Sequence, residues 1–111
     1  MTVRFEAAVD SRVPLRVSIT PAAAVLTQGE RIRVTVRATN TGSREVTTRV
    51  HHRIEPLAQA DHLALLECPL FIPVTLRPGE TEDFASEYLL LATTPKDVKS
   101  RAVTYGFPRP Q

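Results

Sequence analysis

Cysteine is almost absent from this chain. Cys68 is the only one among 111 residues, so no internal disulfide can form and the cross-linked framework of a small secreted module is excluded. Tryptophan is missing and aromatic residues make up 5%, which leaves Val, Leu, Ile and Ala to build most of the interior. Glycine is sparse as well: Gly29, Gly42, Gly79 and Gly106 stand apart from one another. None opens a helix, which removes phosphate-cradling loops and with them nucleotide cofactors. No apolar run approaches the roughly 20 residues of a transmembrane helix. The opening MTVRFEAAVD carries acids and polar residues where an export signal needs an apolar stretch. The expectation is a cytoplasmic protein with no membrane contact. A strong charge of one sign is lacking too, with 14 basic against 12 acidic residues and a net charge of +2. Nucleic acid, whose binding rests on clustered cations, is not an expected partner.

What is present is alternation. Val13, Leu15, Val17 and Ile19 alternate with Pro14, Arg16 and Ser18, the period of a half-buried strand. Over 31 to 39, Ile32, Val34, Val36 and Ala38 alternate with Arg31, Arg33, Thr35 and Arg37. After turn chemistry at Asn40 to Ser43, Val46, Thr48, Val50, His52 and Ile54 share one face of a further strand. Phe71, Val74 and Leu76 lead into Arg77, Pro78, Gly79 and Glu80, where proline then glycine suits a type II turn. A strand over about 81 to 91 puts Phe84, Ser86, Tyr88 and Leu90 opposite Asp83, Ala85, Glu87 and Leu89, and a last strand over 100 to 107 groups Val103, Tyr105 and Phe107. Residues 55 to 69 break the rhythm and are expected to form a loop with one short helix. Segment 2 to 9 reads as an edge strand, and 108 to 111 as a flexible tail.

About seven short strands separated by turns predict an all-β, immunoglobulin-like antiparallel sandwich occupying residues 1 to 107 as a single domain. The stretches ITP, TQGERIRVTVRATNTGSREVT and PVTLRPGETEDF resemble bacterial immunoglobulin-like modules of the CARDB kind and intracellular proteinase inhibitor domains of the BsuPI kind. The resemblance covers about 18 to 54 and 70 to 91, and it implies a sandwich scaffold carrying a binding rather than a catalytic function.

The chemistry-bearing residues are few. Adjacent His51 and His52 on a strand point to opposite faces, so they cannot share an ion. His62 and Cys68 lie in the irregular segment and could approach each other, but a closed zinc site wants four ligands; no metal site is assigned. Half-buried His52 and exposed His51 are the plainer expectation. Cys68, followed directly by Pro69, lacks the setting of a catalytic thiol, and no serine sits in a glycine-framed elbow. The chain is therefore expected to be no enzyme and to need no cofactor. The arginine stripe of Arg31, Arg33 and Arg37 is expected to pair with Asp83 and Glu87 on a neighbouring strand, with Arg49 and Arg53 on the other sheet.

The leucine cluster Leu57, Leu63, Leu65, Leu66 and Leu70, with Phe71, is the expected partner-binding surface unless it folds down to close the core. The leading expectation is thus a non-enzymatic protein-interaction or assembly module, binding a protein partner or a second copy of itself to form an oligomer. A peptidase inhibitor using the loops Pro56 to Asp61 or Thr93 to Lys99 is one alternative. A metal or small-molecule carrier, with a polar pocket near His52, His62 and Cys68, is the other.

Overall fold

A computed structural model of the protein describes residues 1–55, 63–67, 73–94 and 100–108. The strands are β1 (Thr2–Val9), β2 (Leu15–Thr20), β3 (Ala23–Val25), β4 (Arg31–Asn40), β5 (Val46–Thr48), β6 (His51–Glu55), β7 (Leu63–Glu67), β8 (Val74–Leu76), β9 (Thr81–Leu90) and β10 (Ser100–Phe107). Two four-stranded sheets, ordered β3-β1-β10-β6 and β2-β4-β9-β7, face each other, and β5 pairs with β8 in a small third sheet. The all-β sandwich expected from the alternation is what forms. The described part of the segment expected to be loop and helix is the strand β7.

Alternation explains the burial. Val34, Val36 and Ala38 of β4 are fully buried against Tyr88 and Leu90 of β9 and against Val3, Val103, Tyr105 and Phe107 of the opposite sheet. The same parity runs through 46 to 54: Val46, Thr48 and Val50 are buried while Thr47, Arg49, His51 and Arg53 are exposed. The chain nevertheless changes partner within that run. β5 pairs with β8, and beyond Arg49 and Val50 the strand β6 pairs with β10.

Segment 2 to 9 is not an edge at its start, where β3 covers Thr2 to Arg4. β1 lies between β3 and β10, and it pairs with β10 in parallel over its whole length, from Thr2 opposite Ser100 to Val9 opposite Phe107. This is the exception to the antiparallel arrangement expected, and it joins segments almost a chain length apart, which no local pattern announces. Pro108 stands next to that pairing, and its carbonyl accepts a bond from the Thr48 hydroxyl at 3.1 Å; the remainder of the expected tail lies outside the described residues.

One end of the sandwich is tied by Asn40 and the Arg77–Glu80 turn. Gly79 has φ of 78°, the left-handed value that glycine tolerates at the third position of a type II turn, and the Glu80 amide donates to the Arg77 carbonyl at 3.0 Å. Asn40, 1% exposed, donates through its side-chain amide to the carbonyls of Arg44 and Leu76, at 2.8 and 3.0 Å. Its side-chain oxygen accepts from the Gly42 amide at 2.8 Å. One asparagine thereby joins the end of β4, the following turn and the end of β8.

Candidate functional site

β7 is the outermost strand of its sheet among the described residues, and outermost strands present unpaired backbone groups to a partner. Leu63 lies opposite Leu90 and Leu65 opposite Tyr88 before the register shifts, leaving Leu66 in the bulge ahead of Glu67. The expected leucine surface is accordingly split. Leu63 is 2% exposed and belongs to the core, Leu65 is half-buried against it, and Leu66 is 45% exposed. Leu57, Leu70 and Phe71 lie outside the described residues, as do His62 and Cys68. The neighbours of those last two, Leu63 and Glu67, stand at opposite ends of β7, roughly 13 Å apart at about 3.3 Å per residue.

Behind β7, between the sheets, lies a polar cluster. His52 is opposite Tyr105 across the β6–β10 ladder, and Tyr88 reaches them from β9 of the other sheet. The imidazole Nε2 of His52 lies 2.8 Å from the Tyr88 hydroxyl, and the hydroxyls of Tyr88 and Tyr105 are hydrogen-bonded to each other. The His52 ring stacks on Tyr88 with centroids 5.8 Å apart and meets the edge of Tyr105 at 5.4 Å, while Phe5 tilts against Tyr88 at 5.5 Å. Both tyrosines are fully buried, so hydroxyls left without partners would each cost about 1–3 kcal/mol. Burial pushes the His52 imidazole below its ordinary pKa of 6.5, because the charged form would forgo water.

His51 and His52 face opposite ways as expected, His51 exposed and His52 half-buried. The expected charge pairing is present. Arg37 lies opposite Asp83 and Arg33 opposite Glu87 in the β4–β9 register. Arg37 holds Asp83 through two bonds, at 2.8 and 3.0 Å, and the guanidinium keeps that carboxyl below its ordinary range. Arg31 and Arg33 both lie near Glu87, at 3.8 and 3.9 Å. The stripe is therefore matched by acids on its own sheet, and Arg53 on β6 belongs to the other sheet.

Two features escaped the sequence reading. The Tyr88–Tyr105–His52 cluster was legible as three inward positions but not as one group, since Tyr88 joins from the opposite sheet. Arg101, 3% exposed, shares the parity of Val103, Tyr105 and Phe107, and that parity was the available signal. Its guanidinium pKa is lowered by burial. Among the described residues, no group of three or more His, Cys, Asp or Glu side chains is placed to hold a metal ion.

A family model described as "Cytochrome c oxidase assembly protein CtaG/Cox11" matches residues 1–107. The chain belongs to the CtaG/Cox11 family. A relative from Mesorhizobium japonicum, named cytochrome c oxidase assembly protein CtaG, is 29% identical over 110 residues, covering 95% of this chain and 53% of that protein. A protein of the same name from Sinorhizobium fredii is 27% identical over 84 residues, covering 71% of this chain and 42% of its own length. The chain thus spans about half the length of these curated relatives.

Membership of the CtaG/Cox11 family corrects several expectations. The resemblance to CARDB modules and BsuPI inhibitors rested on strand faces and on the turns at Asn40 to Ser43 and Arg77 to Glu80, which here carry the chain from one sheet to another and so mark architecture rather than ancestry. The peptidase inhibitor falls with it, and its loops lie largely outside the described residues. The expected protein-interaction or assembly module, binding a partner or a second copy of itself, gives way to a family described by the assembly of cytochrome c oxidase, so the expected oligomer goes too; of the three functional expectations, the carrier sits best with the family. The cytoplasmic placement is corrected as well, by membership of a family described as cytochrome c oxidase assembly proteins. Among the described residues no helix is long and apolar enough to cross a membrane. The family is described by assembly rather than by catalysis.

Proposed function

We propose that this chain is the β-sandwich domain of a cytochrome c oxidase assembly factor, and that it works without catalysis as a carrier of a metal ion to a protein partner. The observation that carries this reading is the family match over residues 1–107, supported by a relative that aligns with 95% of the chain. The chemistry of the chain is compatible with such a cargo. Its single thiol, Cys68, directly follows β7 in sequence, and soft thiolate ligands favour Cu(I) among the biological metals. One thiolate leaves the ion's other positions open, as a carrier that must release its cargo requires.

The same strand supports a docking role. Among the described residues β7 is outermost in its sheet, where an extended partner segment gains main-chain hydrogen bonds by strand addition, and Leu66 offers an exposed apolar contact. A partner seated there would lie beside the residue next to Cys68.

Anaerobic titration of the full chain with Cu(I), against a chromogenic competitor, tests the carrier. Replacing Cys68 with serine is expected to weaken Cu(I) retention by at least about tenfold. Equal retention by both chains would end the carrier reading. Accumulation of active oxidase in cells whose own copy has been replaced by the Cys68→Ser form is expected to fall.

A further inference from the structure

Arg49, His51 and Arg53 form a second basic set, on a different sheet from β7. They alternate along one run and all three are exposed, His51 and Arg53 on the outward face of β6. They differ from the arginines of β4 in what stands across the ladder. Arg33 and Arg37 meet Glu87 and Asp83, whereas His51 lies opposite Gly106 and Arg53 opposite Thr104. β10 brings no carboxylate to those positions. An acid placed across from them must come from a strand on the other side of β6.

That side is the rim of the sheet, since β6 is outermost among the described residues. The ladder also decides which main-chain groups point there. On the β1 side, the Phe107 carbonyl accepts from the Asp10 amide at 3.0 Å. Successive residues of a strand direct their main-chain groups to opposite neighbours. Gly106 and Thr104 therefore direct theirs at His51 and Arg53, and His52 and Ile54 direct theirs away from the sheet. The strand is also held in place. The His52 ring is 2.8 Å from the Tyr88 hydroxyl of the facing sheet and meets the edge of Tyr105, so little ordering of β6 remains to oppose binding.

We propose that β6 takes up an extended acidic segment of a protein partner by strand addition. The register dictates the pattern of that segment. Its residues across from His51 and Arg53 share their outward face and are acidic, while the residues between share the inward face of half-buried His52 and Ile54 and are apolar. A second copy of β6 is disfavoured, because it would set cation against cation. A polyphosphate chain is disfavoured too, as it has no amides to donate to the carbonyls of His52 and Ile54. The inference rests on the reading that the chain acts on a protein partner, and it is independent of the metal.

The test is a fluorescence titration of the full chain with a short, dye-labelled, end-capped peptide alternating Glu and Val. Saturable binding is expected, and its absence would overturn the proposal. In the free chain the His52 and Ile54 amides are expected to exchange rapidly with solvent and to become protected when the peptide binds; protection before it is added would show the rim already occupied and the proposal wrong. Arg49→Glu and Arg53→Glu are each expected to weaken binding at least about threefold. Arg49 stands outside the ladder, so the outcome does not depend on the Arg53 variant folding. Methylating the peptide nitrogens that face β6 is expected to abolish binding with the charge intact. Equal binding of the methylated peptide, of one with its glutamates grouped together, or of inorganic polyphosphate would show charge attraction alone and defeat strand addition. The Cys68→Ser and Leu66→Asp chains are expected to bind the peptide like the parent, and the charge-reversed chains to retain Cu(I), so failure at β6 is read separately from failure of the carrier or of β7.

Discussion

His52 lies with its imidazole between two buried tyrosines, bonded to Tyr88 and stacked on it, and burial holds it neutral below its ordinary pKa of 6.5. The consequence for stability has a definite sign. As pH falls below about 6.5, the unfolded chain takes up a proton at His52 that the folded chain refuses, so the unfolded state binds more protons and is favoured. Stability is therefore expected to rise with pH through the range just below 6.5 and to level off above it. His52→Gln should flatten that part of the profile, above the range where carboxylates titrate. Urea midpoints of both chains between pH 5.5 and 8 check this, and identical slopes would remove the buried imidazole as the cause. Tyr105→Phe removes one hydroxyl and its bond to Tyr88, whose own hydroxyl keeps His52, with an expected loss of about 0.5–1.5 kcal/mol. At this scale the inward parity of His52, Tyr88 and Tyr105 could be read from the chain. Their meeting could not, because residues 36 and 17 positions apart converge only when two sheets close.

β7 shows what changes at the scale of an element. A leucine-rich stretch without clean alternation reads as loop, since a bulge at Leu66 interrupts the two-residue period. Two leucines of this strand also have different fates, Leu63 buried and Leu66 exposed. Leu63→Ala is expected to cost about 2–5 kcal/mol, the usual range for truncating a buried leucine. Leu66→Asp, at an exposed position, should change stability by less than about 0.5 kcal/mol while reducing capture of oxidase subunits in a pull-down. Equal capture by the Leu66→Asp chain would remove β7 as the docking edge. Asn40 makes a contrasting case. Its type and position announced a turn, but its three side-chain bonds link the end of β4 to β8, which no turn rule supplies. Asn40→Ala is expected to cost about 1.5–4.5 kcal/mol, from three lost bonds at about 0.5–1.5 kcal/mol each, read as a lower urea midpoint with unchanged slope.

For the molecule as a whole, function was the least legible layer. The turns and strand faces that suggested CARDB and BsuPI domains are demands of the sandwich itself, met alike by unrelated chains, whereas membership of the CtaG/Cox11 family emerged from comparison over residues 1–107. The amino-acid sequence by itself determined which side of each strand a residue occupies, because successive residues of an extended chain point to opposite faces. That rule put Arg33 and Arg37 on one outward strand face and Asp83 and Glu87 on another and separated His51 from His52, and it held even across the break at Arg49 and Val50. Tertiary structure alone decided which strands are neighbours. β1 became a central strand paired in parallel with β10, the run from 46 to 54 was shared between two sheets, and Arg101 was drawn into the interior. Such pairings depend on closing long loops and on how much apolar surface the two sheets bury together, and no short window of sequence contains either quantity.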